Sequence, residues 1–449
     1  MTSINESAMS RREVLQKAGI AAGATALGLG ATILPVHAEP ISTRKKMGAN
    51  DKIVIGLIGC GGMGAVDMRN LMKKPEVEVA ALCDVDENRI TNDAKDVEEQ
   101  YNKKPTIYRD FRKMLERKDI NAVIIGTPDH WHALPLIMAC EAGMDAYCEK
   151  PISHDITEAK AMDAAVKHFK RIVQVGTWQR STHEFTNAIS YIRSGKLGKI
   201  VVARAWKTDG YQVGKAQITT PPANLDYDMW NGPAALMPYA TNHLHSVWRW
   251  FLNYGTGMTG DWGVHMMDIC LLAMSQNTDL VMPTEVTTYG GKLAYPNDDR
   301  TAPDTVQSIM KFRDPDFVMH WETGRDYPGK PDHGSEFVSA EGKTLRVWRG
   351  GMKILDPDGE ELPKYEAEAT NDHWQNWVDC VKSREQPRSN LASMAQTTIA
   401  CHLVNASYLA GETVHFDKAK MDIVGSAGKH TQSYYREYRK PWKLPIYKA

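Results

Sequence analysis

From Lys52 onward the chain alternates strand-length apolar runs with longer stretches of helical periodicity. "KIVIGLIGCGGMG" opens with the run Ile53 to Ile58, meets a glycine-rich turn, and passes into the helix-like "AVDMRNLMKK". "VEVAALCDVD" reads as a second strand ending in acid, and "NRITNDAKDVEEQY" as a polar helix. "DINAVIIGTPDHWHA" gives another buried strand and a loop, and "LPLIMACEAG" a helix closed by Gly143. "MDAYCEKP" is a short strand, followed by "HDITEAKAMDAAVKHF", a helix opened by an acidic, hydroxyl-bearing turn. This alternation predicts a parallel, doubly wound sheet over residues 51–173.

The texture changes after Gln174. "KIVVARAWKT", "TEVTTYGGKL", "TVQSIMKFR", "FVMHWET" and "EFVSAEGKTLRVWR" are strand-like pieces between turn signals, which predicts a largely antiparallel sheet. Helices return in "DHWQNWVDCVKSREQP" and "SMAQTTIACHLVNASYLAG". Residues 174–428 therefore read as a second, α+β domain, and 429–449 as a basic, aromatic tail without periodicity.

Ahead of Lys52 lies "SRREVLQKAGIAAGATALGLGATILPVHA", Ser10 to Ala38, with twin arginines, a Gly/Ala-rich apolar run and a small-residue cleavage site. That order predicts a twin-arginine (Tat) export signal over residues 1–38, a polar linker over 39–50, and a mature protein in the periplasm. The apolar run from Ala18 to Leu34 falls short of the ~20 residues a spanning helix needs. A formal net charge of −1 offers no basic surface to nucleic acid. The seven scattered cysteines form neither a disulfide framework nor a zinc-ligand pattern.

Gly59-x-Gly61-x-x-Gly64, with Gly62 and Met63 inside it, follows a strand and opens a helix, the context in which this pattern signifies dinucleotide binding. The first glycine makes the tight turn, the second admits a pyrophosphate, and the third packs helix on strand. The helix N-terminus adds oriented N–H groups for the phosphates. Asp84 ends the next strand, where a carboxylate accepts hydrogen bonds from a ribose diol and repels a 2′-phosphate. NAD is expected rather than NADP, although Arg89 stands nearby.

Behind this fingerprint "GTPDHWHA", "YCEKP" and "GDWGVHMMD" occur in that order and resemble the Gfo/Idh/MocA family of oxidoreductases. The resemblance runs from Lys52 to the C-terminal helices. It implies the fold class α/β, with an N-terminal Rossmann dinucleotide-binding domain. The C-terminal α+β domain would carry a large, mostly antiparallel open sheet that makes oligomer contacts, hence a homo-oligomer, dimer or tetramer. It also implies oxidation of a secondary hydroxyl of a sugar or cyclitol, or reduction of the ketone. Position by position, Lys150, Asp261 and His265 match the family's catalytic lysine, acid and histidine. Thr127, Pro128, Asp129, His130 and His132 match the loop on the nicotinamide side, and Glu149 the acidic residue there.

The residue types suit that chemistry. Alcohol oxidation needs a base for the hydroxyl proton and a positive group for the developing alkoxide. His265 is the expected base, and Asp261, four residues earlier, is expected to fix its tautomer. The Lys150 ammonium would hydrogen-bond the reacting oxygen. Trp178, Gln179 and Arg180, with His243, His245 and Arg249 from a Trp-rich irregular segment, are candidate sugar contacts. The same segment also suits a buried aromatic cluster. His243-x-His245 lacks a defined third ligand, so no metal is expected.

Twin-arginine export carries folded proteins, so a nucleotide would be bound before export and stay bound. A captive cofactor must be restored in each cycle. Two routes do this: oxidation of one sugar with reduction of another, or oxidation, elimination and re-reduction on a single glycoside. The complete Glu149-Lys150-Pro151 motif favours the oxidoreductase over the glycosidase. A sugar-binding protein without turnover is a further alternative, against which Lys150, Asp261 and His265 argue.

Overall fold

The computed structural model describes residues 51–325, 331–367, 370 and 372–448. The export signal and linker lie outside the described residues. The run Ile53–Ile58 forms β1, followed by α1 (Gly62–Met72), β2 (Val77–Cys83), α2 (Glu87–Tyr101), β3 (Thr106–Tyr108), α3 (Phe111–Leu115) and β4 (Ala122–Ile125). Next come α4 (Ala133–Glu141), β5 (Asp145–Cys148), α5 (Ile156–Phe169) and β6 (Val173–Val175). All six strands pair in parallel, in the order β3-β2-β1-β4-β5-β6. Helices cover both faces, so the strands carry continuous apolar runs: Ile53, Ile55 and Leu57 of β1 and the whole of β4 are buried. The acidic turn before α5 caps it, with Asp155 Oδ1 accepting the Glu158 N–H (2.8 Å). Strand order reverses between β1 and β4, which opens a crevice at their C-terminal ends.

The chain continues through α6 (His183–Arg193), β7 (Ile200–Thr208), α7 (Tyr227–Asn231) and α8 (Val264–Met274). The strands β8 (Glu285–Gly291), β9 (Thr305–Phe312), β10 (Phe317–Gly324), β11 (His333–Ser339), β12 (Thr344–Trp348) and β13 (Gly351–Leu355) follow. Then come α9 (His373–Ser383), α10 (Leu391–Ala410), β14 (Val414–Asp417) and β15 (Asp422–Val424). The second sheet has the order β13-β12-β11-β7-β10-β9-β8-β14-β15, antiparallel throughout except where β7 meets β10. In β9, Val306, Ser308, Met310 and Phe312 are buried while Gln307 and Ile309 face out. That two-residue period belongs to a sheet with one covered face. The covered face shares its apolar core with Met267 of α8 and Ile399 and Leu403 of α10.

Two later segments return to the first sheet. In α9 the fully buried Trp377 packs edge-on against Tyr147 and donates its indole N–H to the Ala146 carbonyl (3.0 Å). The basic, aromatic tail lies on its own chain. Trp442 meets Trp131 edge-on (4.8 Å between centroids), and Arg436 pairs with the fully buried Glu158 (2.7 Å) and donates to the His130 carbonyl (2.7 Å).

Candidate active site

The end of β1 comes so close to β4 that a Cβ on Gly59 would lie 2.7 Å from the Thr127 nitrogen; its φ is +91°. Gly64 is equally constrained, because its Cβ would lie 2.2 Å from the Gly59 carbonyl oxygen. Gly61 and Gly62 differ: a Cβ on Gly61 would meet only the Arg89 side chain at 3.9 Å, and one on Gly62 nothing within 4 Å. The turn thus presents bare backbone, and the uncapped first turn of α1, to a cavity of about 730 Å³. This cradle fits a dinucleotide pyrophosphate. Asp84 is anchored beside it, with Oδ2 accepting the Cys60 N–H (2.7 Å) and Oδ1 the Asp86 N–H (2.9 Å). Burial raises the Asp84 carboxyl, and these backbone bonds oppose the rise. Asp86 caps α2 and faces His245 Nε2 (3.1 Å), so two carboxylates edge the ribose position.

The loop after β4 behaves differently from the expectation. Thr127 and Pro128 line the cavity, but His130 and His132 lie behind it. His132 sits between the Thr127 and Pro151 carbonyls (2.7 and 2.6 Å), tying this loop to the Lys150 loop. His130 lies between the carbonyls of Trp230 (2.9 Å) and Tyr254 (3.2 Å), and burial pushes it down to about 3. Both are braces, not cofactor contacts. Glu149 lines the cavity and packs on Gly176, where a Cβ would lie 1.7 Å from Glu149 Oε1. Behind it lies Asp67 of α1, wholly buried, whose carboxyl is pushed well up by burial and by Glu149. Nothing in the sequence marked Asp67 as part of this site.

Lys150, Asp261 and His265 line the same cavity. Lys150 Nζ donates to Asp261 Oδ1 (2.7 Å) and to the Asp261 carbonyl (2.9 Å). Arg249 Nε donates to the same Oδ1 (3.0 Å), its guanidinium lying over Trp248 (4.4 Å). Burial alone would raise the Asp261 carboxyl, but Lys150 and Arg249 outweigh it and hold it far below the usual carboxylate range. The expected Asp261–His265 hydrogen bond is not made. Residues Thr259–Gly263 form a π-helical turn ahead of α8, so the four-residue spacing does not stack the two side chains. His265 Nδ1 is buried without a partner among the described residues. Burial, then Lys150 and Arg349, hold the imidazole well below its ordinary value of 6.5.

Of the expected sugar contacts, Trp178, His245 and Arg249 line the cavity. Arg180 does not: it is buried in a fork with Asp268 (2.7 and 2.6 Å) and donates to Ser393 Oγ (2.7 Å), which makes it structural. Gln179 lies just behind the wall and accepts from Arg349 Nη2 (3.0 Å). His243 packs edge-on against Phe251 (4.5 Å) in the interior, so it does not converge with His245. The Trp-rich segment forms the buried aromatic cluster and also contributes to the cavity wall. Leu225, Trp230, Leu244, Trp248, Phe251 and Tyr254 form a separate apolar cluster, while Trp230, Trp248 and Trp250 also wall the cavity. Sequence reasoning missed Arg349 and Trp262, which line the cavity near His265 and face each other (4.3 Å).

Two family models match the chain. The oxidoreductase family model for an NAD-binding Rossmann fold covers residues 53–177, and that for its C-terminal α/β domain covers residues 162–444. The chain is 30% identical over 162 residues to inositol 2-dehydrogenase of Rubrobacter xylanophilus (35% of this chain, 45% of the relative). It is 25% identical over 201 residues to α-N-acetylgalactosaminidase of Shewanella oneidensis (41% of this chain, 44% of the relative). The matched stretches thus span less than half of these curated relatives. Aldose-aldose oxidoreductase of Caulobacter crescentus has the same fold, with a TM-score of 0.62 at 16% identity over 81% of this chain and 100% of that one. With a glycine cradle at one end of its cavity and both halves matched, this chain belongs to the Gfo/Idh/MocA oxidoreductase family, whose N-terminal domain binds NAD.

Proposed function

We propose that the protein is an exported NAD-dependent oxidoreductase that acts on a secondary hydroxyl of a sugar, glycoside or cyclitol and keeps its cofactor through each cycle. The observation that carries this reading is the Lys150–Asp261 contact beside His265, whose buried Nδ1 has no partner among the described residues, in the cavity that the glycine turn opens. The Gly59–Gly62 backbone and α1 would hold the pyrophosphate, and Asp84 the ribose. Bound NAD would supply the hydride acceptor. An ammonium has three N–H donors, and Lys150 spends two on Asp261, leaving one for the reacting oxygen. Asp261, held ionised, keeps that ammonium in place. His265, held neutral, takes the hydroxyl proton in oxidation and returns it in reduction.

The twin-arginine segment supports passage through the Tat machinery to the periplasm. The uncovered sheet face, where Ile309 and Tyr289 are exposed, supports a homo-oligomer. The likeness to α-N-acetylgalactosaminidase favours a second reading, a redox-neutral glycosidase using the same groups. The test is to extract the protein from the periplasm, denature it, and identify released nucleotide by mass spectrometry. Stoichiometric NAD that survives dialysis is expected. A protein that binds no nucleotide even when supplied overturns the proposal. Aglycone release from a glycoside, with no net change in nicotinamide, selects the glycosidase.

A further inference from the structure

One cation at the substrate end has no role in the chemistry above. Arg349, in the turn between β12 and β13, packs its guanidinium against the indoles of Trp178 (4.5 Å) and Trp262 (4.3 Å). Indole faces attract a guanidinium but take none of its N–H groups. One Nη2 donor goes to Gln179 Oε1 (3.0 Å), while Nε is buried and has no acceptor among the described residues. Among the described residues no carboxylate pairs with it. Its backbone is fixed by an N–H bond to His333 Nε2 (3.2 Å), and His333 also lies against Trp262 (5.1 Å between centroids). The guanidinium is therefore oriented before any ligand arrives, with part of its N–H edge unused.

Among the described residues the acids near it make no direct contact with its guanidinium. Lys150 and Arg249 share the Asp261 carboxylate, Lys207 and His333 share Asp332, and Glu184 accepts the Gly350 N–H (3.1 Å), so these three acids act on Arg349 only from beyond ion-pair distance. Glu149 at this end is buried, and burial raises its carboxyl. A neutral sugar would leave the unused N–H edge of this guanidinium without a charged acceptor in a partly desolvated cavity. We infer that Arg349 recognises an anion and that the substrate is a sugar carrying a carboxylate, a hexuronate or aldonate. A planar carboxylate matches a guanidinium edge through two parallel hydrogen bonds. One guanidinium without a contacting carboxylate matches a single carboxylate charge better than a phosphate dianion. A carboxylate held there also selects which hydroxyl reaches Lys150 and His265. This inference rests on the assignment of the cavity to sugars.

The test is calorimetric titration of the purified holoprotein with glucuronate and galacturonate against glucose and galactose at matched ionic strength. The expected result is that at least one hexuronate binds about 10- to 100-fold more tightly than its parent hexose. Arg349→Met brings that ratio near one by weakening the hexuronate far more than the hexose, Arg349→Lys falls between, and added salt weakens the hexuronate more than the hexose. Where Arg349→Met fails to fold, the lysine variant and the salt dependence of the wild type decide. Equal binding of acid and hexose, no binding of either hexuronate, tighter binding of a hexose phosphate, or a preference that survives Arg349→Met overturns the inference. Hexuronate that binds in this way but is never turned over counts against the oxidoreductase reading and leaves the anion site standing. Turnover confined to neutral sugars does the reverse.

Discussion

The two ends of the cavity are built by opposite means. The cofactor end is mostly backbone, drawn from one strand-turn-helix unit and anchored by the Cys60–Asp84 bond across 24 residues. The substrate end is side chains brought together by the fold: Lys150 meets Asp261 across 111 residues, and Arg349 meets Gln179 across 170. A backbone site is damaged by adding atoms. A side-chain site is damaged by changing chemistry, and the two forms of damage are separable.

The sharpest separation is Lys150→Met, which removes the donor proposed for the reacting oxygen. Turnover falls about 10³-fold or more while the nucleotide stays bound, as kcat and mass-spectrometric occupancy together measure. Loss of nucleotide in step with turnover would mean that the two ends are not independent. Arg180→Met strands the buried Asp268 carboxylate and costs about 3–5 kcal/mol, read from the denaturant midpoint. KM per folded molecule should not change, and a selective rise in KM would return Arg180 to the substrate wall.

Gly62→Ala has space for its Cβ but a φ of +44°, so it costs about 1 kcal/mol of backbone strain. Nucleotide affinity falls with it only if the added methyl meets the pyrophosphate, which equilibrium dialysis with NAD would detect. The smallest effect is on pH dependence. A lowered histidine pKa keeps the base form populated as pH falls, so kcat/KM for oxidation stays level from neutral pH down past 6.5. A decline centred at or above 6.5 would show that His265 is not the neutral base.

The same contrast explains what the sequence could reveal. Apolar runs buried on both faces mark parallel strands directly, and the glycine turn and Asp84 lie within one such unit. The Trp178–Ser181 turn shows the limit: its spacing gave no sign that Trp178 faces the cavity while Arg180 turns inward to Asp268. Four-residue spacing from Asp261 to His265 suggested contact only because the π-helical turn leaves no pattern in residue types. Arg349 stands in "RVWRGG", which reads as a turn. Sheet order alone carries it to Trp178.

The contacts of Trp377 and of the tail with the first sheet bear on recombination between relatives. An exchange cut at residue 177, the end of the family's Rossmann match, would leave Tyr147 without its partner ring and Glu158 buried without Arg436. Such a chimera would carry a complete glycine turn on a structure that cannot close around it. The portable unit is discontinuous: residues 51–177 together with α9 and the tail, from one parent, are needed to graft a cofactor half onto another substrate half.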